Sequence, residues 1–318
     1  MLVLIGLSLA LTWVMRRRCP NPNCNREPSL LDSSSFSSPR SRHIVRKGSF
    51  FRSRDRRFIT KYWCKNCGRH FSASTHSPDY RQKKRDLNSV VTRLFSSGVS
   101  QRRMATLLQV NPKTVVRKFR IMAARARVEH EVRLNDLAQS PLSEIQFDDL
   151  ETFEHTKCKP LSVTLAVNKN TREIIGFQVS RMPASGRLAE ISRRKYGYRK
   201  DERPKGWDHL FKILRPVVQA GACLESDQNP HYPKFIRRHL KGVSHIAYPG
   251  ARGAITGQGE LKKLIFDPLF ALNHTCAMLR ANLNRLFRRT WCTTKKPEGL
   301  IDHLSIYLRY HNTVLIRS

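Results

Sequence analysis

Two cysteine pairs, Cys19-x4-Cys24 and Cys64-x2-Cys67, constrain the fold of this chain more than any other feature of its sequence. They sit 39 residues apart. Each pair sets two thiols on a tight turn, and two such knuckles supply the four tetrahedral sulfur ligands of a zinc ion. YWCKNCGRHFS is a strong zinc-ribbon signature: Gly68 suits the turn beneath the knuckle, and Tyr62, Trp63 and Phe71 can pack around it. CPNPNC is a looser one, with four intervening residues instead of two. Four protein ligands leave no open position, so zinc here is structural. Free thiols or a redox pair are the alternative. The remaining cysteines, at 158, 223, 276 and 292, are scattered and read as ordinary buried thiols, not a secreted disulfide framework. Between the pairs, the serine-rich segment reads as a mobile loop. Residues 40–57 read as a basic stretch with Phe50 and Phe51 interleaved, suited to a phosphate backbone or to a solvated loop.

Charge narrows the partners. The 318 residues hold 59 Lys+Arg against 24 Asp+Glu, a formal net charge of +35. A folded protein this basic repels itself until a polyanion neutralises it, and nucleic acid is the usual polyanion. A ribosome-type RNA binder and a protein drawn to an anionic membrane are the other classes. Residues 1–15 form an apolar leader, too short for a spanning helix and without the flanks of a signal peptide. It reads as an over-extended start, with translation beginning at Met15; an amphiphilic anchor is the alternative.

Residues 84–128 read as a helical segment with a helix-turn-helix layout. DLNSVVTRLFSSG closes at Gly98, Ser100 suits an N-cap for QRRMATLLQV, and Pro112 opens a third helix, PKTVVRKFRIMAARAR. That helix is expected to bury Val115, Val116 and Phe119 and to present Lys113, Thr114, Arg117 and Lys118 to the major groove. An ordinary helical hairpin is the bland reading.

From about residue 140 the period changes to that of strands. SEIQFDDLETF, KPLSVTLAVNKNTREIIGFQVSRM and the region of GACLESD alternate, with a hairpin turn at NKNTRE. Residues 187–220 read as helical and basic, 260–290 as a long helix and 297–312 as a final one. Glu144, Asp148, Asp149, Glu151 and Glu154 crowd into eleven positions, unexpected in so basic a chain unless a cation needs them. Carboxylates suit a pair of Mg²⁺ ions in phosphoryl transfer. Alternation puts Asp148 and Asp149 on opposite faces, so one of them reaches such a site. Asp227, closing a strand with Glu225 two residues earlier on the same face, is the second candidate; a cap or turn is its ordinary explanation.

The two cysteine segments, the helix-turn-helix, IQFDDLETF and the tail LNHTCAMLRANLNRLFRRTWCTTKKPEGLIDHLSIYLRYHN together resemble bacterial insertion-sequence transposases of the small zinc-ribbon DDE group, over residues 16–312. The resemblance implies an α/β chain: a zinc ribbon over 16–75, the helix-turn-helix, then a ribonuclease-H-like mixed sheet flanked by helices over 140–318. It implies Mg²⁺-dependent strand cleavage and transfer on double-stranded DNA, by a homo-oligomer that pairs two element ends, in the bacterial cytoplasm at the nucleoid. No small-molecule substrate or membrane is involved. Asp148 matches the first catalytic position, with Asp149 where many relatives have Glu, and Asp227 matches the second. The third departs: Asn273 stands where the family has Glu, with Glu260 and Asp267 as substitutes in a shifted register. Arg280, Arg285, Arg288 and Arg289, with Trp291, match a basic clamp on element-end DNA. The competing reading is a DNA-binding protein without catalysis, either a decayed transposase or a zinc-ribbon regulator, and Asn273 is its best support.

Overall fold

The structure, a computed structural model, describes residues 19–24, 43–53, 56–77, 79–249, 267–287 and 291–317. The apolar leader, the serine-rich loop, Glu260, Arg288 and Arg289 lie outside the described residues. The chain divides into two compact units, residues 1–85 and 86–318.

The first unit holds an antiparallel sheet of β1 (Ile44–Arg52), β2 (Arg57–Cys64) and β3 (His70–Ser72), in that order. Within the basic stretch, read as a phosphate-backbone contact or a solvated loop, Ile44–Arg52 is strand β1. Val, Ile, Phe, Tyr and Trp in IVRKGSFFR and RFITKYWC favour a pleated, half-buried surface, and this outweighs the charge density. Tyr62 packs on Phe71 with ring centroids 5.5 Å apart, and Trp63 stacks on His70 at 6.2 Å, as expected of the residues around the second knuckle.

In the second unit, α1 (Leu87–Phe95), α2 (Gln101–Leu107) and α3 (Pro112–Gln139) come first. Ser100 caps α2 by accepting from the Arg103 N–H at 3.3 Å, and Asn111 caps α3 by accepting from Lys113 at 2.8 Å. Gly98 (φ 73°) ends the first turn, and a Cβ there would meet the Phe287 ring at 3.0 Å. The helix α3 runs 28 residues, twelve past Arg127, where the sequence reading ended it. Nothing in VEHEVRLNDLAQ breaks a helix. Arg125 pairs with Glu129 at 2.6 Å, Glu129 also binds Arg309, and Arg133 grips Glu173 at 2.7 and 2.8 Å.

Two expected orientations on α3 are reversed. Val116 is 37% exposed, whereas Lys118 is 3% exposed and donates to Asn88 Oδ1. The inward stripe runs Val115, Lys118 and Phe119, Met122, Ala126, which is helical spacing, and Lys118 falls inside it.

A mixed five-stranded sheet follows, in the order β6-β5-β4-β7-β8. Its strands are β4 (Leu142–Phe153), β5 (Pro160–Asn168), β6 (Ile174–Arg181), β7 (Val218–Asp227) and β8 (Ser244–Tyr248). The β4–β5 and β5–β6 pairs are antiparallel, the latter joined by the expected NKNTRE turn; β4–β7 and β7–β8 are parallel. Helices α4 (Leu188–Tyr196) and α5 (Arg203–Leu214) separate β6 from β7, and α6 (Tyr232–His239) separates β7 from β8. Beyond them lie α7 (Phe270–Asn282) and α8 (Pro297–Tyr310).

Alternation gives each sheet face its own core. Ile145, Phe147 and Leu224 pack against Trp207, Phe211 and Leu214 of α5 and Tyr232 and Phe235 of α6. Leu150, Leu161, Val163 and Leu165 pack against Leu272 and Leu279 of α7 and Leu300, Leu304 and Tyr307 of α8. The long helix expected over 260–290 ends at Asn282, because Leu283 turns extended and enters the second core.

Val91, Phe95, Met104, Val115 and Phe119 form a third core, which Ile306 of α8 joins. Phe95 is 1% exposed, between Phe119 and His303. Phe95→Ala is expected to destabilise the second unit by about 3–5 kcal/mol in chemical denaturation. A loss below about 1 kcal/mol would mean that the three helices are not part of its cooperative fold.

Candidate metal centre and acidic site

The four cysteine sulfurs of the first unit lie within 4.8 Å of one another. Cys19 Sγ is 3.5 Å from Cys67 Sγ, and Cys24 Sγ is 3.7 Å from Cys64 Sγ. Sulfurs bound tetrahedrally at ~2.3 Å from zinc stand about 3.8 Å apart, so the cluster can hold a metal ion such as zinc. Local turns build it. The Gly68 N–H donates to Cys64 O at 2.9 Å with Gly68 at φ 70°, and the Cys24 N–H donates to Asn21 O at 3.1 Å. The Arg69 backbone N–H pulls the Cys67 thiol down to about 6, while desolvation and its hydrogen bond with Cys64 push Cys24 up to about 12. A divalent cation removes that conflict by favouring thiolate at all four positions. The purified chain is expected to carry one zinc per monomer by elemental analysis, and Cys64→Ser to lose it; full zinc occupancy in that variant would place the metal elsewhere.

In the second unit two of the five crowded acids, Glu144 and Glu154, are neutralised by basic partners. Glu144 and Glu225 share Lys169, at 3.2 and 2.7 Å. Asp149 faces α5, accepting from Trp207 Nε1 at 3.0 Å and from Thr164. Glu154 pairs with Arg199 at 3.4 Å, and Glu151 is exposed. The expectation that a cation must account for the whole group is thus replaced by one about Asp148 alone.

Asp148 stands beside Asp227. β4 and β7 pair in parallel with Gln146 against Glu225, and one further pleat sets Asp148 against Asp227, where β7 ends. Asp148 Oδ1 accepts from the Asp149 N–H at 2.6 Å and the Tyr232 hydroxyl at 3.3 Å; Asp227 Oδ1 accepts from the Asn229 N–H at 3.2 Å. Burial, and then the charge of Asp227, push the Asp148 carboxyl up to about 7. Burial, and then the charge of Asp149, raise Asp227 as well. Burial and the charges of Asp149, Asp148 and Asp227 drive the Tyr232 hydroxyl far up, so it stays protonated and donates to Asp148. Two half-buried carboxylates with no basic partner among the described residues hold a proton near neutrality or accept a cation.

The third sequence-derived position lies on α7, the helix whose Cys276 feels the charge of Asp148. Asn273 is exposed on α7 and donates its amide to Asp267 Oδ2 at 2.9 Å, while Asp267 Oδ1 accepts from the Leu269 N–H at 3.0 Å. Among the described residues, the four cysteines are the only gathering of three or more His, Cys, Asp or Glu side chains placed to share a metal. What meets β4 from α7 is the Leu272 N–H, 3.0 Å from Gln146 Oε1. The Gln146 amide group also donates to Glu225 and to Pro268 O, both at 2.7 Å. Gln146, Lys169 and Tyr232 were missed from sequence. A lone buried Gln in a strand flanked by Ile and Phe was the available signal for the first; the other two gave none.

Of the basic candidates, Lys113 and Arg117 are exposed and Thr114 is half-buried. Arg280 is half-buried on α7, and Arg285 turns inward, its guanidinium 5.8 Å from the Phe119 ring centroid. Trp291 is fully exposed. Among the described residues no helix is long and apolar enough to cross a membrane.

The raised carboxyl of Asp148 gives a pH signature. Its ordinary value is near 3.8 and its folded value about 7, so it favours the fold at acid pH and opposes it increasingly as pH rises between those values. At pH 8 in EDTA, Asp148→Asn is expected to raise the thermal midpoint by several degrees (about 2–4 °C per kcal/mol for a unit of this size), with little effect near pH 4. Manganese or magnesium should raise the midpoint of the parent chain and not of the variant. A lower midpoint for the variant at pH 8 would mean that the carboxylate is already neutralised.

No protein-family model matches this chain, and a search of curated proteins finds no significant match.

Proposed function

We propose that this chain is a DDE-type DNA transposase of the insertion-sequence kind. The observation that carries the reading is the Asp148–Asp227 pair, two electrostatically coupled carboxylates side by side on parallel strands in a chain of charge +35. Supporting it are a mixed sheet covered by helices on both faces, as a ribonuclease-H-like domain requires, and the four-cysteine cluster, as a zinc ribbon requires. The capped α2–α3 pair with exposed Lys113 and Arg117 fits a helix-turn-helix that reads the major groove.

In this reading, Asp148 and Asp227 would hold Mg²⁺, which would supply polarisation of the attacking oxygen and charge stabilisation of the departing one. The protein positions a water in line with one phosphodiester, and later the freed 3′-hydroxyl against a target strand, so no covalent protein intermediate forms. Tyr232 holds one Asp148 oxygen and leaves the other for the ion. Asn273 would have to release Asp267 to lend its carbonyl, or Asp267 itself serves in its place. Arg280, with Arg288 and Arg289, belongs to the clamp on element ends; Arg285 and Lys118 serve packing instead. The partners are double-stranded DNA and a second copy of the chain, at the nucleoid in the cytoplasm.

A second reading has one observation in its favour: the exposed Asn273, an uncharged amide tied to Asp267, suits a DNA-binding relic without catalysis. Supercoiled plasmid carrying the flanking DNA of the gene separates the two. The transposase nicks it at the flanks with Mg²⁺ and not with EDTA, and Asp227→Ala lowers the rate by more than about 100-fold, beyond what loss of an outer-shell partner costs, while DNA affinity is kept. Tight, metal-independent binding without nicking would leave the relic.

A further inference from the structure

The β1–β2 ribbon ends in two rungs of unlike chemistry: Phe51 opposite Phe58, then Arg52 opposite Arg57. Phe51 and Phe58 are 54% and 73% exposed, with ring centroids 5.2 Å apart. Side chains alternate across a ribbon, so this aromatic pair shares a face with Ser49 and Thr60, while the arginines project to the other side with Phe50 and Ile59. On that other side Lys61 lies over the Phe50 ring at 5.5 Å and Lys47 over Trp63 at 5.0 Å. The two strands carry Arg46, Lys47, Arg52, Arg57 and Lys61 and no carboxylate. An exposed aromatic pair at the end of a cationic ribbon does nothing for the unit's own core, and such a patch marks a contact surface.

We propose that the β1–β2 ribbon is a DNA-bending arm: it enters a groove of duplex DNA and wedges Phe51 and Phe58 into a base step, while Arg52 and Arg57 hold the flanking phosphates. A two-stranded ribbon has the width to enter a groove. Phe is among the side chains that open a base step from the groove and kink the duplex by roughly 20–90°. The charge selects the partner, because Arg46, Lys47, Arg52, Arg57 and Lys61 on the two strands outnumber the one carboxylate, Asp55, of the joining segment and complement a polyanion. A membrane would meet the same charges, but two rings at a narrow tip offer it little of the broad apolar face that interfacial anchors use. The arm rests on the DNA-binding part of the proposed function, since bending requires binding.

The zinc-loaded full chain is mixed with a flanking duplex of about 30 base pairs carrying a donor and an acceptor dye at its two ends. Binding is expected to bring the ends together. F51A/F58A should bind the duplex within a few-fold of the parent chain and leave it straight, and F51L/F58L should restore the bend, because Leu also wedges. R52A/R57A should weaken binding and lower the slope of log affinity against log salt by about 2, at roughly 0.9 per phosphate contact. All four positions lie at the ribbon's end, away from the cysteines, and zinc content reports that the unit is intact. A straight duplex in a tight parent complex, or an undiminished bend with F51A/F58A, overturns the arm and leaves DNA binding standing. Phe-dependent binding to phosphatidylglycerol vesicles without bending overturns it in favour of a membrane contact. A parent chain that does not bind duplex DNA overturns the arm and the proposed function together.

Discussion

The amide of Gln146 joins the three elements on which the acidic site depends. It is 1% exposed, and it ties β4 to β7 through Glu225 and to the start of α7 through Pro268 and Leu272. A buried amide left without such partners costs about 1–3 kcal/mol, so the pairing of β4 with β7 is specified by polar satisfaction as well as by apolar packing. Asp148 lies one pleat further along the same strand. Its position beside Asp227 follows from a register that Gln146 and Glu225 hold in place.

The same region sorts its charges by neighbour. Lys169, brought back by the β5–β6 turn, neutralises Glu144 and Glu225 together, and Arg199 takes Glu154. Among the described residues, Asp148 and Asp227 receive only neutral donors: backbone N–H groups and the Tyr232 hydroxyl. Hydrogen bonds of that kind do not offset burial next to another carboxylate, hence the upward shift of both. The site thus keeps an unmet demand for positive charge inside a chain that is strongly positive overall. In the proposed reading, a phosphodiester drawn in by the surrounding field would be repelled at that pair until a cation covers it.

The last helix joins the helical segment to the sheet. α8 gives Leu300, Leu304 and Tyr307 to the core on the β5 face and Ile306 to the core of α1–α3. His303 crosses between them, its Nε2 2.8 Å from Phe95 O. α8 is buried over most of Leu300–Leu308, His303 and Ser305 included, because it serves two cores at once.

Local pattern was enough for much of this. Cysteine spacing located the metal cluster, period-two stretches located β4 to β7, and Ser100, Gly98 and Pro112 marked helix ends, because each of these depends on residues within one or two turns of each other. Strand alternation also separated Asp148 from Asp149 correctly. Tertiary structure decided what local pattern could not. Lys118 went inside because the stripe of α3 that meets α1 includes it, and the basic stretch became a strand because β2 pairs with it. Glu144, Glu154 and Glu225 left the acidic site because Lys169 and Arg199, distant in sequence, reach them first. Asn273 lies on the exposed side of α7 because Ala271, Leu272, Thr275 and Leu279 take the buried one. Sequence by itself determined which residues are able to bind a cation; only the pairing of strands and helices decided which of them remain free to do so, because charge is settled by the nearest partner in space.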